Sequence, residues 1–137
     1  MVKLVCISPL VFLSNIVISY AYEYNLYSYL FLQLMMTSFY YHSSYSPLSN
    51  IVDKLAIVSV VGYGSTIFIQ KLCEISTMYE MCIAFQILST FLYVNYLYIY
   101  GRYTGSYCFN RDVDTANKYH ALLHCISSVG HILIVVL

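Results

Sequence analysis

Five long apolar segments, separated by short polar stretches, dominate this 137-residue sequence. A helix of about 20 apolar residues can cross the hydrocarbon core of a bilayer. Only 9% of the residues are charged, whereas soluble domains carry about 25%. The sequence therefore predicts an all-α, polytopic transmembrane bundle of about five helices, forming a single membrane-embedded domain over residues 1–137. The predicted segments, of which the second is only marginally long enough, are residues 2–21, 26–42, 51–70, 81–100 and 118–137. The last three connections are predicted to be a polar loop, a charged connection and an exposed loop, over residues 43–50, 71–80 and 101–117 respectively.

The first segment has two interpretations. Lys3 precedes its apolar run, and the stretch from Ser19 to Ala21 resembles the small-x-small cleavage site of a signal peptide. The apolar run is closer in length to a full membrane span than to a signal core, so a retained helix is favoured. Both interpretations place the original N-terminus in the cytosol.

Charge and cysteine content exclude some classes of function. The formal net charge is zero, so no polybasic surface for nucleic acid is expected. The five cysteines form no CxxC pair, and they are predicted to be small buried hydrophobic residues rather than a disulfide framework.

The HALLH string at residues 120–124 carries the strongest chemical signal. Side chains four residues apart lie on one helix face, with Cβ atoms about 6 Å apart, so His120 and His124 can reach one metal ion. The pair alone is weakly specific. An ionisable side chain inside a membrane is costly, however, and is by default a candidate functional residue.

Following the chain back and forth across the membrane brings further polar residues to the depth of HALLH. Segments two and four return to the side of the N-terminus. The residues at the ends of these two segments, and at the starts of the segments that follow them, therefore lie on that side. Five polar residues are therefore predicted to converge at one depth: Ser38, His42, Asp53, His120 and His124. The same side holds every basic residue except Lys71, so the positive-inside rule makes it cytosolic and places the C-terminus on the far side.

Three histidines with one position left for solvent make an open zinc site, since structural zinc sites usually have four protein ligands. Asp53 can accept a proton from an acidified water and pass it to a leaving group. Ser38 can donate a hydrogen bond to a developing oxyanion or orient the water. This set predicts a hydrolase for a carbonyl substrate, and its membrane location predicts a lipid amide or ester.

Each of these residues also has a structural alternative. His42 can be an interfacial residue, and Ser38 can bond back to its own helix. Asp53 can be favoured by the helix dipole or pair with Lys54. His131 is predicted to be a packing or far-leaflet residue rather than a ligand, and Gly62 and Gly64 are predicted to permit close helix packing.

The order and spacing of Ser38-x-x-x-His42, Asp53 and His120-x-x-x-His124 resemble a known superfamily. It comprises the alkaline ceramidases, the GPI-lipid remodelling proteins of the PER type and the adiponectin receptors. The string HALLHCISSVG is similar to the last-helix motif of the first two groups. The resemblance implies that His42, His120 and His124 bind Zn²⁺, and that Asp53 and Ser38 act around a zinc-bound water.

The chain departs from that family in its number of helices. The family has seven, and five remain here, which implies a shortened form with a more open substrate cavity. Losing two helices between Asp53 and His120 keeps both on the same side. No acidic calcium-binding stretch precedes the first segment, unlike in the ceramidases.

The sequence therefore predicts a zinc-dependent intramembrane lipid hydrolase, with ceramide-type amide hydrolysis as the leading reaction. The alternatives are acyl-ester hydrolysis of a GPI lipid or phospholipid, a non-catalytic zinc-containing membrane protein, and a small polytopic protein without metal. The expected partner is a membrane lipid substrate, and a shortened bundle could pair with a second copy to close its cavity. An endomembrane location is expected.

Overall fold

The computed structural model describes residues 4–137, and within that range the chain is helical with no strand. This confirms the predicted all-α bundle. The α-helices are α1 (Leu4–Ile7), α2 (Phe12–Ala21), α3 (Asn25–Ser44), α4 (Pro47–Leu72), α5 (Met78–Asn95), α6 (Gly101–Thr104) and α7 (Val113–Val136). Two 3-10 turns (Ser8–Val11 and Tyr107–Phe109) and one π-helical turn (Tyr96–Tyr100) complete the elements.

Four helical stretches are long and apolar enough to cross a membrane. They make the chain a multi-pass membrane protein. Helix α3 also has 20 residues, but it is not one of these four, because serine, glutamine and tyrosine side chains dilute its hydropathy. That α3 crosses the membrane stays a prediction. The four stretches are Leu4–Ala21, Pro47–Leu72, Met78–Phe109 and Val113–Val136.

The predicted length of the polar loop before the third segment is wrong. Helix α4 begins at Pro47, where the fixed φ of proline suits the first helical position. The Ser46 hydroxyl accepts from the Ser49 amide at 3.0 Å, and the Ser49 hydroxyl accepts from the Ser46 amide at 3.1 Å. Residues with loop-like composition therefore cap this helix, and only Tyr45 and Ser46 separate it from α3.

Helices also begin inside the two later stretches that were predicted to be connections. Helix α5 begins with Thr77 as its cap, inside the stretch expected to be a charged connection. The expected exposed loop over residues 101–117 contains α6, a 3-10 turn and the start of α7. Asp112 caps α7 by accepting from the Thr115 amide at 3.0 Å, and bonds from the Thr115 hydroxyl and amide lower the pKa of its carboxyl.

Helix α3 lies between α2 and α4, while α7 packs on α2 and on α5. One of the two predicted close-packing glycines lies at a tight contact: a Cβ on Gly64 would overlap the Tyr27 hydroxyl and come within 3.1 Å of His131 Nδ1. The prediction for Gly62 is wrong, because a Cβ there would meet open space.

Polar residues on one face of α7 bond to the helices opposite. We call this set the α7 polar ladder: His124, Ser128 and His131, with their partners Ser8, Asn15 and Tyr27 respectively. Spacings of four and three residues keep the α7 members on one face. Without these bonds each group would be an unpaired polar atom inside an apolar bundle, which costs about 1–3 kcal/mol.

The middle pair of the ladder, Asn15 with Ser128, which we call its middle rung, is joined by two hydrogen bonds. Asn15 Nδ2 donates to the Ser128 carbonyl at 3.0 Å, and Ser128 Oγ donates to Asn15 Oδ1 at 2.5 Å. Both residues are almost fully buried, with 1% and 2% of their surfaces exposed. Beyond the last rung, Lys71 Nζ donates to the Val135 carbonyl at 2.6 Å near the end of α7.

Replacing Asn15 by leucine should destabilise the bundle by about 0.5–2 kcal/mol, because the Ser128 hydroxyl loses its buried partner. The measurement is the midpoint of unfolding in detergent as denaturing detergent is added. Gln86→Leu makes the same amide-to-leucine change at an exposed position of α5, and it should leave the midpoint near that of the unaltered protein. Equal shifts for the two variants would contradict a structural role for this rung.

Candidate metal centre

Three histidines from the ends of two helices meet in one cluster. His42 lies in the last turn of α3, and His120 and His124 lie about two and three turns into α7. Each offers one ring nitrogen, and these nitrogens all lie within 4.8 Å of one another. Rotation of the imidazoles could close this to the roughly 3.4 Å between ligands of a tetrahedral zinc ion. The cluster could therefore hold a metal ion.

The burial of His42 supports metal binding. The residue is only 3% exposed, and within residues 4–137 neither of its ring nitrogens has a hydrogen-bond partner. An unpaired buried polar atom is expensive, and native structures rarely leave one without a reason. A metal ion bound to one of the nitrogens would remove that penalty.

A hydrogen bond from the N-terminal region sets the orientation of His124. Its Nδ1 lies 2.8 Å from Ser8 Oγ, and Ser8 Oγ lies 3.0 Å from the Val5 carbonyl. A hydroxyl has one proton, so when Ser8 donates to the Val5 carbonyl it accepts from Nδ1–H of His124. This tautomer leaves the Nε2 lone pair free, which is how metal-binding histidines are commonly oriented.

Ser8 was not among the residues predicted from the sequence. The only signal at its position is a polar residue before Pro9 that interrupts an apolar run. Its role depends on the 3-10 turn over Ser8–Val11 and on the packing of that turn against α7.

The carboxylate and hydroxyl predicted for the site form a second, adjacent group. Ser38 Oγ donates to Asp53 Oδ1 at 2.5 Å. Thr37 Oγ1 lies 3.4 Å from the same oxygen and 3.1 Å from the Leu34 carbonyl of its own helix, and its single proton can serve only one of them. The alternative that Ser38 bonds back to its own helix is not observed. The Ser38 proton goes instead to the carboxylate on α4, so Ser38 orients Asp53.

This Ser38–Asp53 pair lies next to the histidines along α3. Ser38 and His42 are four residues apart and therefore on one helix face, with Cβ atoms about 6 Å apart. Asp53 is 7% exposed and Ser38 is 1% exposed. The structure thus brings three histidines together, with a hydrogen-bonded carboxylate about one turn away along α3.

Other candidate ligands are separate from the cluster. His131 bonds to the Tyr27 hydroxyl, as expected of a packing residue. Cys125 is exposed on α7, and Cys6 donates its thiol to the His42 carbonyl at 3.4 Å. All five cysteines are free, but none is fully buried, so the expected burial is wrong. In this small bundle the thiols lie on exposed or half-buried positions.

No protein-family model matches the chain, and neither a curated protein nor a solved structure matches it. The resemblance to the ceramidase superfamily therefore stays a prediction from the sequence motifs.

Purified protein should carry about one metal ion per chain, and His120→Ala should reduce this to near zero, because two imidazoles hold an ion far less tightly than three. Elemental analysis of detergent-purified protein makes the measurement. Lys118→Ala is the control, since it truncates an exposed side chain of the same helix outside the cluster, and it should keep its metal. Full metal content in His120→Ala would refute the site.

Ser8→Ala should weaken metal binding by about 10–100-fold, as is typical when the partner of a ligating histidine is lost. Competition with a chelator of known affinity measures the change. Ser8→Thr keeps the hydroxyl and should restore most of the affinity. Affinity unchanged in Ser8→Ala would show that Ser8 does not orient His124.

Proposed function

We propose that this chain is a zinc-dependent intramembrane lipid hydrolase. The observation that carries the proposal is the convergence of His42, His120 and His124, with the Asp53 carboxylate held nearby by the Ser38 hydroxyl. Three imidazoles are a ligand set that zinc favours, and three protein ligands leave a position for solvent. A site needed only for stability would not require the Ser38–Asp53 pair.

Each residue of the site has a separate role in the proposed hydrolysis. His42, His120 and His124 would hold the ion, and Ser8 would keep His124 in its ligating tautomer. When bound, zinc supplies a Lewis acid that acidifies water and polarises a carbonyl. Asp53 accepts a proton and delivers it to the leaving group. Ser38 acts as a positioning residue, because its proton fixes the Asp53 carboxylate.

A lipid is the proposed substrate class because the site lies within a multi-pass membrane protein. The leading substrate is a ceramide-type amide, and the alternative is an acyl ester of a GPI lipid or phospholipid. The residue motifs shared with alkaline ceramidases and remodelling proteins support both. A cytosolic orientation of the site and an endomembrane location belong to the same proposal. They rest on basic residues, of which Lys3 lies outside the described residues.

A second candidate function is a non-catalytic membrane protein that uses zinc for stability. The ladder contact between Ser8 and His124 favours it, because a metal ion there would join α3 to α7 and indirectly to the N-terminal turn. Pairing with a second copy would then serve to cover the exposed side of the bundle. Turnover of a lipid separates the two functions.

Asp53→Asn should retain about one zinc per chain yet lose hydrolysis of a labelled lipid by about 10²–10⁴-fold, because an amide cannot accept the proton. Ser38→Ala should lower the rate less, since the carboxylate stays but is no longer fixed. The assay uses a panel of ceramides and ester lipids in mixed micelles, with elemental analysis of each variant.

Two results would count against the enzyme. Wild-type protein with full zinc and no turnover on any lipid of the panel would favour the non-catalytic function. Equal turnover in wild type and Asp53→Asn would remove Asp53 from the mechanism. Asp114→Asn, an exposed carboxylate in the first turn of α7, is the control and should retain wild-type turnover.

A further inference from the structure

A cleft with aromatic and basic walls opens where the π-helical turn meets α6. It has a volume of about 510 Å³ and is lined by Tyr98, Ile99, Arg102 and Tyr103. It lies at the same end of the bundle as the histidines: Tyr107 in the following turn packs on Tyr119, the neighbour of His120, with ring centroids 5.0 Å apart.

A second cation, on α4, lies beside one of the residues that line this cleft. Lys54 Nζ lies 3.5 Å from the Tyr98 hydroxyl, and the Tyr98 ring is held by an edge contact with Phe109 at 5.2 Å. The cleft therefore has one cation, Arg102, in its lining and a second next to it. The hydrogen-bond partner of Lys54 is a neutral hydroxyl, and Lys54 also interacts electrostatically with Asp53.

These groups match one kind of ligand. A guanidinium presents a fork of donors that suits phosphate, and an ammonium adds a compact positive charge. Tyrosine rings favour the headgroup level of a bilayer, where one end is apolar and the other is wet. We propose that Lys54, Arg102 and Tyr98 bind the phosphate group of a glycerophospholipid, with its glycerol and upper acyl region against Ile99 and Tyr103.

The position of Lys54 connects this headgroup site to the metal centre. Lys54 directly follows Asp53 on α4, with the two side chains about 100° apart around the helix, so a phosphate held at Lys54 would keep the lipid beside the stretch of α4 that carries the carboxylate. In a glycerophospholipid, the phosphate and the nearest ester are carried by adjacent glycerol carbons, whereas a ceramide has no phosphate. As a statement about substrate, this inference rests on the proposed hydrolase. It favours a phosphate-bearing ester over a ceramide.

The test compares two lipids that differ only in phosphate. Full-length protein in detergent is titrated with dioleoyl phosphatidic acid or with dioleoylglycerol, and the bound fraction is measured by native mass spectrometry. Phosphatidic acid should bind at least about tenfold more tightly, because one charge-assisted hydrogen bond contributes that much. The Lys54→Gln/Arg102→Gln double variant should lose this preference.

A matched control is Arg111→Gln, which removes one exposed positive charge from the connection that leads into α7. It should keep the preference for phosphatidic acid. Equal binding of the two lipids to wild type, or an equal loss in Arg111→Gln, would overturn the headgroup site. Displacement of the lipid by millimolar inorganic phosphate would assign the cleft to free phosphate and overturn the lipid assignment.

Failure of this inference can be told apart from failure of the proposed function. His120→Ala should lose its metal and yet bind phosphatidic acid like wild type, since the cleft contains no histidine. If phosphatidic acid binds as expected but no lipid is hydrolysed, the headgroup site stands without the enzyme. If ceramide is hydrolysed and the phosphate preference is absent, the enzyme stands without this site.

Discussion

The penalty for leaving a polar group unpaired in an apolar medium governs this bundle. Helix α7 is apolar enough to cross a membrane, yet it carries histidine and serine side chains on its inner face. Each of these groups needs a partner, and the α7 polar ladder supplies one from the N-terminal turn, from α2 and from α3. The register of α7 against its neighbours is therefore fixed by hydrogen bonds, since apolar contacts alone tolerate sliding.

The histidine cluster is a product of that register. With Ser128 paired to Asn15, and His131 paired to Tyr27, the next turns of α7 bring His124 and His120 opposite the end of α3. His42 then meets two imidazoles, and its ring nitrogens have no hydrogen-bond partner in the described chain. The carboxylate has a separate support, because Ser38 of α3 donates to Asp53 of α4. The histidine cluster and the hydrogen-bonded carboxylate thus belong to different helix pairs that share α3.

Sequence reasoning predicted the all-α fold and the residues of the histidine cluster, because membrane alternation and helical spacing are long-range rules that need no coordinates. It failed where local packing determines where a helix begins or which residues are in contact. The caps Ser46 and Asp112 have loop-like composition but begin helices. Gly62 and Gly64 look equivalent in sequence, and only the register of α3 against α4 separates them. Ser8 was missed for the same reason, because its partner His124 is distant in the chain.

The contact between Ser8 and His124 joins residues 116 positions apart. During synthesis, the N-terminal turn enters the membrane long before α7 exists. Until α7 is inserted, Ser8 and the buried amide of Asn15 must therefore be hydrated or bound by other factors. The histidine cluster therefore forms late in biogenesis, and a chain stalled before residue 120 would present an incomplete bundle that membrane quality control could recognise.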